Sequence, residues 1–358
     1  MQEDLEYAVL HEFVGPAKRN VSRGTWDYLM GGAETETTYL RNRRALDELA
    51  FRPRVLRNVE KVDTRAKVLG CNLELPIILA PIGSLQDMVA EGGAAPTRAA
   101  ARSRVLHMLS SACSPGLEAV AGCNGYPKIF QLYVRGDTAW VDDYIQRAIA
   151  HRYLALCFTV DLDYYGRRER DLAKRYKTTS RRSNPADHFQ ARFSWADLAR
   201  IRKKFDIPII LKGIATAEDA KIALEHGVQG IYVSNHGGRQ LDHGKGAIAV
   251  LPEVVEAVGG RAEIIVDGGF MRGTDIVKAM ALGANAVGLG RLQGLALSAG
   301  GETALVRALT LLRDEVTRCL GLLGVTSFAE LNASFLAPVA ALGREGLDSA
   351  FPLLREGY

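Results

Sequence analysis

From about residue 75 onward, short apolar runs alternate with segments of helical periodicity. Each run is almost continuously hydrophobic and ends in small or polar residues, which is typical of parallel strands covered on both faces. Eight such runs occur: PIILAP (76–81), LHMLSS (106–111), KIFQLY (128–133), LALCFTVD (154–161), IPIILKG (207–213), GIYVSN (230–235), EIIVDGG (263–269) and AVGLGR (286–291). The repeat predicts an α/β fold, a (β/α)8 TIM barrel.

Capping residues and apolar periodicity predict helices between and after these runs. In TAEDAKIALEHG (216–227), Thr216 and Asp219 have capping-box spacing and Gly227 is placed to end the helix. The apolar periodicity of residues 303–324 also predicts a helix, which we expect to pack on the outside of the barrel.

Two regions fall outside the repeat. Residues 1–74 read as a mostly helical N-terminal extension, and residues 162–195 form a long, Arg- and Lys-rich loop after strand 4 that is a candidate lid. Its charges suit an anionic substrate, a membrane surface or an acidic partner, although most such charges only face solvent. We expect one domain over 1–358, with the barrel at 75–324 and a C-terminal tail at 325–358.

Composition narrows the classes of function. The net charge of +4 comes from 45 basic and 41 acidic residues, too balanced for nucleic-acid binding to be the main role. The five cysteines lack metal-ligand spacing, so we predict reduced thiols and no metal site. The N-terminus has no apolar signal core and no stretch reads as a transmembrane segment, so a cytoplasmic protein is expected.

Polar residues cluster at the ends of the predicted strands, where β/α barrels build their active sites. They are Ser110, Gln131, Tyr133, Thr159, Asp161, Lys212, His236, Arg239, Asp267 and Arg291. Any one of them could simply satisfy backbone groups or cap a helix. Together, on seven strands, they predict an active site.

Two segments carry the most specific chemistry. In VSNHGGRQLD (233–242), His236 and Arg239 would place a proton acceptor beside a bidentate carboxylate binder, the pair needed to deprotonate an anchored hydroxy acid. The glycines of DGGFMRGTD (267–275) and GLGR (288–291) would let backbone amides approach an anion, which predicts a phosphate site.

These motifs resemble those of the FMN-dependent 2-hydroxy-acid oxidase and dehydrogenase family, which includes glycolate oxidase, lactate oxidase, mandelate dehydrogenase and flavocytochrome b2. The resemblance runs over nearly the whole chain. It is carried by WDYLMGGA (26–33), FRPRVL (51–56), LPIILAPIG (75–83), FQLYV (130–134), GRRE (166–169), LKG (211–213) and SNHGGRQLD (234–242). It implies FMN as cofactor and oxidation of a 2-hydroxy acid as the reaction. A single phosphate site without a strand-linked GxGxxG unit also favours FMN over FAD.

The resemblance implies a role for each catalytic candidate. His236 would take the substrate proton, and Asp161 would hydrogen-bond its imidazole and favour the protonated form. Tyr133 would lie near the substrate hydroxyl. Lys212 would lie beside the flavin N1 and C2 carbonyl, where a positive charge stabilises the anionic reduced ring.

Binding roles are implied in the same way. Arg239 and Tyr28 would hold the substrate carboxylate, with Arg168 at another substrate position. The isoalloxazine would contact Pro81, Ile82, Gly83, Ser110, Gln131 and Thr159. The ribityl chain and phosphate would be held by Asp267, Gly269, Gly290 and Arg291. Further cofactor contacts are expected from Ser234, Gly268 and Arg272.

Three departures from the family pattern bear on specificity and cofactor binding. Met271 stands where the family commonly has a phosphate-binding Arg, with Arg272 one place later, so we expect weaker or rearranged phosphate binding. Ala112 stands where glycolate oxidase has a Trp, which predicts a pocket for an L-2-hydroxy acid with a medium to bulky side chain. Leu162-Asp163 replaces a Thr-Pro pair.

Several alternatives stay open at this point. An FMN-dependent isomerase would use the same cofactor, a lyase could use Lys212 as a Schiff-base amine, and a non-catalytic flavin-binding scaffold could act through a partner. The electron acceptor could be oxygen, a quinone or a redox protein, and proton abstraction is compatible with either a hydride or a carbanion route. A homotetramer is implied by the resemblance alone.

Overall fold

The computed structural model describes residues 7–183 and 189–357. The strands in these ranges are β1 (Leu49–Phe51), β2 (Ala66–Val68), β3 (Cys71–Leu73), β4 (Ile77–Leu79), β5 (Leu106–Ser110), β6 (Ile129–Leu132), β7 (Ala155–Thr159), β8 (Ile209–Ile214), β9 (Gly230–Val233), β10 (Glu263–Val266), β11 (Ala286–Leu289) and β12 (Leu336–Pro338). Strands β4 to β11 pair in parallel, in chain order, and close into an eight-stranded barrel. The predicted fold is therefore confirmed, with each strand inside its predicted run or within one residue of it.

Helices surround this barrel. They are α1 (Val14–Asn20), α2 (Arg23–Met30), α3 (Thr37–Asp47), α4 (Ala94–Ser103), α5 (Leu117–Ala121), α6 (Thr138–Ala150), α7 (Glu169–Ala173), α8 (Thr179–Ser183), α9 (Phe189–Arg192), α10 (Trp195–Lys204), α11 (Ala217–Glu225), α12 (Ala247–Val258), α13 (Gly273–Ala281), α14 (Arg291–Leu323) and α15 (Gly346–Ala350). Short 3₁₀ helices lie at Leu10–Phe13, Leu85–Asp87, Phe328–Glu330, Ala333–Phe335 and Pro352–Glu356.

The barrel strands are buried on both faces, which explains their continuous apolar sequence. Inside the barrel, Ile78, Met108 and Ile210 belong to one packed cluster, whereas Leu109 belongs to the larger core between strands and helices. Because successive strand residues point to opposite faces, both sets must be apolar.

The N-terminal extension contains helices α1 to α3, as predicted, but it also contains three strands that the sequence pattern does not reveal. Strands β2 and β3 form an antiparallel hairpin, and β1 pairs with β12 near the other end of the chain. Val68 and Leu73 of the hairpin pack against the interior barrel cluster, which includes the first residue of β5, Leu106. The hairpin closes the amino-terminal end of the barrel, so the carboxyl end is the open one.

Both helix predictions hold. The Thr216 side chain accepts a hydrogen bond from the Asp219 amide at 3.1 Å, and helix α11 follows directly. The predicted C-terminal helix is the second half of α14, which has non-helical backbone at Gly300 and Gly301. Helix α14 is long and apolar enough by composition to cross a membrane, yet more than half of its most apolar window is buried in this fold.

The loop after the fourth barrel strand folds over the open end of the barrel. The Ser180 hydroxyl donates to the Ala112 carbonyl oxygen, and the Thr179 amide donates to Asp87 at 2.9 Å. The Gln190 side-chain amide donates to the Thr159 carbonyl oxygen at 3.0 Å. Residues 184–188 of the predicted lid lie outside the described residues, and the remainder of this loop forms part of the wall of the site.

Candidate active site

A large cavity opens at the carboxyl ends of the barrel strands. The strand ends supply residues such as Lys212 and His236, and both irregular regions of the chain complete the wall. Tyr28 and Tyr39 come from the N-terminal extension, and Arg168 comes from the loop over the barrel. The two regions that depart from the repeat therefore turn a barrel end into an enclosed site.

His236 is held in one orientation beside the cavity. It follows β9 with a left-handed backbone (φ 57°), and its amide donates to the Ser234 Oγ at 3.0 Å. Its Nδ1 lies 3.0 Å from the Asp161 Oδ1, and its Nε2 lies 3.5 Å from the Tyr133 hydroxyl. With Nδ1 committed to Asp161, Nε2 is the nitrogen left to exchange a proton with a ligand.

The charge states at this pair suit a base. Burial lowers the pKa of His236, and the raising effect of Asp161 does not fully offset it. Burial alone would raise the pKa of Asp161, but His236 and then Lys212 outweigh it and lower that pKa. At neutral pH, Asp161 is ionised and His236 is neutral, so His236 can accept a proton and Asp161 can stabilise the imidazolium that forms.

Lys212 belongs to a buried polar network. Its Nζ donates to the Ser234 Oγ at 2.8 Å and lies 3.4 Å from an Asp267 oxygen, and the Ser234 hydroxyl donates to Asp267 at 2.6 Å. Burial would lower the pKa of Lys212, but Asp267 and Asp161 outweigh burial and raise it. A protonated, hydrogen-bonded amine is a poor nucleophile, which argues against the Schiff-base alternative.

Arg239 lies against Tyr28 with part of its guanidinium uncommitted. Its Nη1 donates to the carbonyl oxygens of Tyr28 (2.5 Å) and Gly31 (2.9 Å), and its Cζ lies 4.6 Å from the centre of the Tyr28 ring. Its Nη2 is buried and has no hydrogen-bond partner in the part of the chain that the structure describes. Burial and the nearby Arg168 lower the pKa of Arg239 to about 10, which leaves it charged at neutral pH. This geometry is suited to an incoming carboxylate.

Several buried polar atoms next to the cavity also have no hydrogen-bond partner among the described residues, as expected around the site of a polar cofactor. Both side-chain polar atoms of Gln131, the Thr159 hydroxyl and the Arg291 Nε have none among the described residues. One side of the cavity is lined by glycine backbone, including Gly268 (φ 106°) and Gly290. A Cβ on Gly290 would meet nothing within 4 Å, so this side is open to a large ligand. The residues present therefore fit a phosphate-bearing flavin.

Most of the predicted site residues come together. Those that line the cavity are Tyr28, Pro81, Ile82, Gly83, Ala112, Tyr133, Arg168, Lys212, His236, Arg239, Asp267, Gly268, Gly269, Gly290 and Arg291. Five others do not line the cavity directly. Asp161 and Ser234 are hydrogen-bonded to residues that do, and Ser110, Gln131 and Thr159 lie buried near the carboxyl ends of β5, β6 and β7.

Arg272 is the exception. Its guanidinium pairs with Glu315 at 2.7 Å and donates to the Ala350 carbonyl oxygen at 3.1 Å, outside the cavity. Its backbone is extended (φ −129°, ψ 156°), and in extended chain successive side chains point to opposite sides. Met271 faces the cavity, so Arg272 faces away from it. The expectation that Arg272 contacts the cofactor has no support in this geometry.

Sequence reasoning missed other wall residues. Tyr39 and Arg43 come from α3, and Gly346 and Leu347 come from the C-terminal tail. Arg43 is held by a 2.6 Å ion pair with Asp275, 232 positions away. No local pattern marks these residues, because their position depends on how the two ends of the chain pack on the barrel.

Comparisons with known proteins agree with the geometry. A family model described as FMN-dependent dehydrogenase matches residues 17–338. Glycolate oxidase of Spinacia oleracea is 35% identical over 355 residues, which cover 93% of this chain and 96% of that protein. Among solved structures, a soluble mutant of the membrane-associated (S)-mandelate dehydrogenase from Pseudomonas putida superposes with a TM-score of 0.88 at 31% identity, covering 92% and 99% of the two chains.

A mandelate oxidase variant solved with (S)-mandelic acid superposes with a TM-score of 0.87 at 36% identity, covering 94% of this chain and 99% of the other. The family match spans most of the chain, and the similarity to these relatives extends from the N-terminal extension through the barrel. This chain therefore belongs to the FMN-dependent 2-hydroxy-acid oxidase and dehydrogenase family, with FMN as its cofactor.

Proposed function

We propose that this enzyme oxidises an L-2-hydroxy acid with a medium to bulky side chain to the 2-oxo acid, with His236 as the base. The assignment of the base rests on the geometry of His236. Its Nδ1 lies 3.0 Å from Asp161, and its pKa is lowered by burial, so its Nε2 is free to accept a proton beside the cavity. Arg239, whose Nη2 has no hydrogen-bond partner among the described residues, supplies a positive charge in the same cavity. A proton acceptor next to a carboxylate binder is the minimum that this reaction needs.

Each residue then has a defined task. Arg239 and Tyr28 bind the substrate carboxylate and so fix the hydroxyl-bearing carbon relative to His236. The Tyr133 hydroxyl, near the His236 Nε2, is positioned to hydrogen-bond the substrate hydroxyl. His236 accepts the substrate proton, and Asp161 stabilises the resulting imidazolium. Bound FMN would supply the acceptor for the two electrons that leave the substrate, and Lys212, Gln131 and Thr159, next to the cavity, would hold its ring.

The preference for a larger substrate rests on Ala112. Its side chain lines the cavity, and a Cβ placed on the neighbouring Gly83 would lie 3.3 Å from the Ala112 Cβ. Of the two tyrosines in the loop over the barrel, Tyr164 is 85% exposed and does not line the cavity, whereas Tyr165 does. At roughly 25 cal/mol per Å², a substituent that buries on the order of 100 Å² would gain about 2 kcal/mol over a substrate without a side chain.

Anaerobic reduction of the bound flavin by a panel of 2-hydroxy acids tests this proposal. We expect aromatic and branched substrates to reduce it with a specificity constant at least tenfold above that of glycolate. The Ala112→Trp variant should suppress the bulky substrates and spare glycolate, while Ala112→Ser, which barely changes volume, should keep the wild-type ranking. A wild type that prefers glycolate would contradict the open pocket. Reduction by any 2-hydroxy acid would exclude the isomerase and scaffold alternatives.

The phosphate end of the cavity gives a separate prediction. Met271 lies there in place of a cation, with its side chain buried among cavity-lining residues. We expect Met271→Arg to tighten FMN binding about tenfold, because a charge-assisted contact to phosphate outweighs the cost of burying one more guanidinium. Quenching of flavin fluorescence on titration of the apoprotein measures the dissociation constant. Met271→Leu is the matched control, and a folded Arg variant with unchanged affinity would refute the prediction.

A further inference from the structure

Two arginines in the cavity wall make no direct contact with a carboxylate among the described residues. Among the described residues, the side chains of Arg135 and Arg181 make no hydrogen bond and no ion pair, although both line the cavity and are half-buried. Each guanidinium lies over an aromatic ring instead. The Arg135 Cζ is 5.8 Å from the centre of the Tyr133 ring, and the Arg181 Cζ is 3.7 Å from the centre of the Tyr165 ring. Stacking fixes the guanidinium plane and leaves the N–H groups free to donate.

The charges of the cavity are strongly unbalanced. In the described part of the chain, its wall contains seven Lys and Arg side chains but two carboxylates, Asp163 and Asp267. Arg43 is neutralised by Asp275, and Lys212 lies 3.4 Å from Asp267. The FMN phosphate and the substrate carboxylate bring about three negative charges.

We assign those charges to Arg168, Arg239 and Arg291, and Arg135 and Arg181 then have no assigned anion. The buried Asp171 acts on Arg181 electrostatically without contacting it directly. The N–H groups of Arg135 and Arg181 are not buried against protein, so an anion in the cavity can reach them.

Arg181 is held on the side of the cavity that we assign to the substrate side chain. Arg181 follows Ser180, whose hydroxyl donates to the Ala112 carbonyl oxygen and whose amide donates to the Ser84 Oγ at 3.1 Å. Helix α8 is thereby attached to the loop that carries Ala112.

Arg135 is positioned by a second set of buried contacts. It follows Val134, whose amide donates to the Gln190 side chain at 2.8 Å, and Gln190 in turn donates to the Thr159 carbonyl oxygen at 3.0 Å. Gln190 is itself buried, so the backbone next to Arg135 is connected to both the barrel and the overlying loop.

We propose that the side chain of the substrate ends in a carboxylate, and that Arg135 and Arg181 bind this second carboxylate. This inference rests on the proposed function, because it assigns the first carboxylate to Arg239 and the side-chain space to the region beside Ala112. Guanidinium groups are the side chains best matched to a carboxylate, since they offer two parallel N–H donors. The substrate is then a 2-hydroxy dicarboxylic acid.

A binding experiment on the FMN-loaded enzyme tests the pair directly. The ligands are 2-oxoglutarate and 2-oxopentanoate, which have the same chain length and differ by the terminal carboxylate, and binding is read from the change in flavin absorbance. We expect the wild type to bind the dicarboxylate at least tenfold more tightly. Arg135→Gln and Arg181→Gln should each reduce that preference about tenfold, and Arg181→Glu should reduce it further.

The chain offers a matched control. Arg182→Gln changes the same residue type on the same helix at an exposed position that does not line the cavity, and it should keep the preference. Retention of bound flavin and an unchanged thermal unfolding temperature show that each variant is folded. Equal affinities of the wild type for the two ligands would overturn the inference, as would a preference that survives in both Gln variants.

Flavin reduction by 2-hydroxyglutarate and 2-hydroxypentanoate separates this inference from the proposed function. Reduction by both compounds, without a preference for the dicarboxylate in rate or in binding, supports the proposed function and overturns the second carboxylate site. A binding preference that depends on Arg135 and Arg181, with no reduction by any 2-hydroxy acid, supports the site and overturns the proposed oxidation.

Discussion

Replacing His236 with Gln should lower the rate of flavin reduction by at least about a hundredfold while the protein stays folded and retains FMN. Gln keeps a hydrogen-bonding side chain beside Asp161 but cannot accept a proton from the substrate, and loss of a positioned general base typically costs 10²- to 10⁴-fold. Anaerobic stopped-flow absorbance with a saturating 2-hydroxy acid measures the step itself, free of the reoxidation reaction.

The pH dependence supplies a second readout for the same variant. His236 must be neutral to act, and its pKa is lowered, chiefly by burial. The wild-type rate should therefore hold at neutral pH and fall only as the pH drops below the ordinary histidine range. The Gln variant should lose this decline. His243→Gln is the matched control, because His243 follows in the same loop with its side chain 62% exposed. A His236 variant that reduces its flavin at nearly the wild-type rate would remove this residue from the mechanism.

Replacing Arg239 with Met should lower kcat/KM by about two to three orders of magnitude, with KM rising and kcat falling together. Truncating one member of a buried, hydrogen-bonded charge pair costs about 2–5 kcal/mol, because the substrate carboxylate is then buried without a partner. Arg239 also stacks on Tyr28 at 4.6 Å and bonds the Tyr28 carbonyl oxygen, so its loss disturbs the second carboxylate ligand. Misplaced substrate reacts slowly even when it is bound, which lowers kcat as well.

Steady-state kinetics over a wide range of substrate concentration separates the two parameters. Arg167→Met serves as the comparison, because the Arg167 side chain is 68% exposed and Glu169 is its one ion-pair partner among the described residues. Thermal unfolding of both variants accounts for any loss of stability from the two backbone carbonyls that Arg239 satisfies. A rise in KM at constant kcat would assign Arg239 to capture alone and contradict its role in orienting the reacting carbon.

The amino-acid sequence by itself determined the barrel and much of its chemistry. Strands such as β5 and β8 are recognisable because they must be apolar on both faces, and the start of α11 is marked by the Thr216 cap. His236 and Arg239 could be singled out because strand ends in a β/α barrel converge on one face, so residues far apart in sequence become neighbours by topology alone.

The tertiary structure decided what no local pattern carries. The strands β1, β2, β3 and β12 are three residues each and lie outside the strand-and-helix repeat, so no period marks them. Arg43 forms an ion pair with Asp275, and Arg272 forms one with Glu315, while Met271 faces the cavity. Each of these ion pairs joins residues that are distant in sequence.

Arg135 and Arg181 come to the same cavity because separate loops pack over the barrel end. Periodicity reports which face of an element is buried, but not which distant element covers it. The walls of this site are formed by such distant packing, so the reaction class could be predicted from the sequence, whereas the shape and charge of the pocket required the fold.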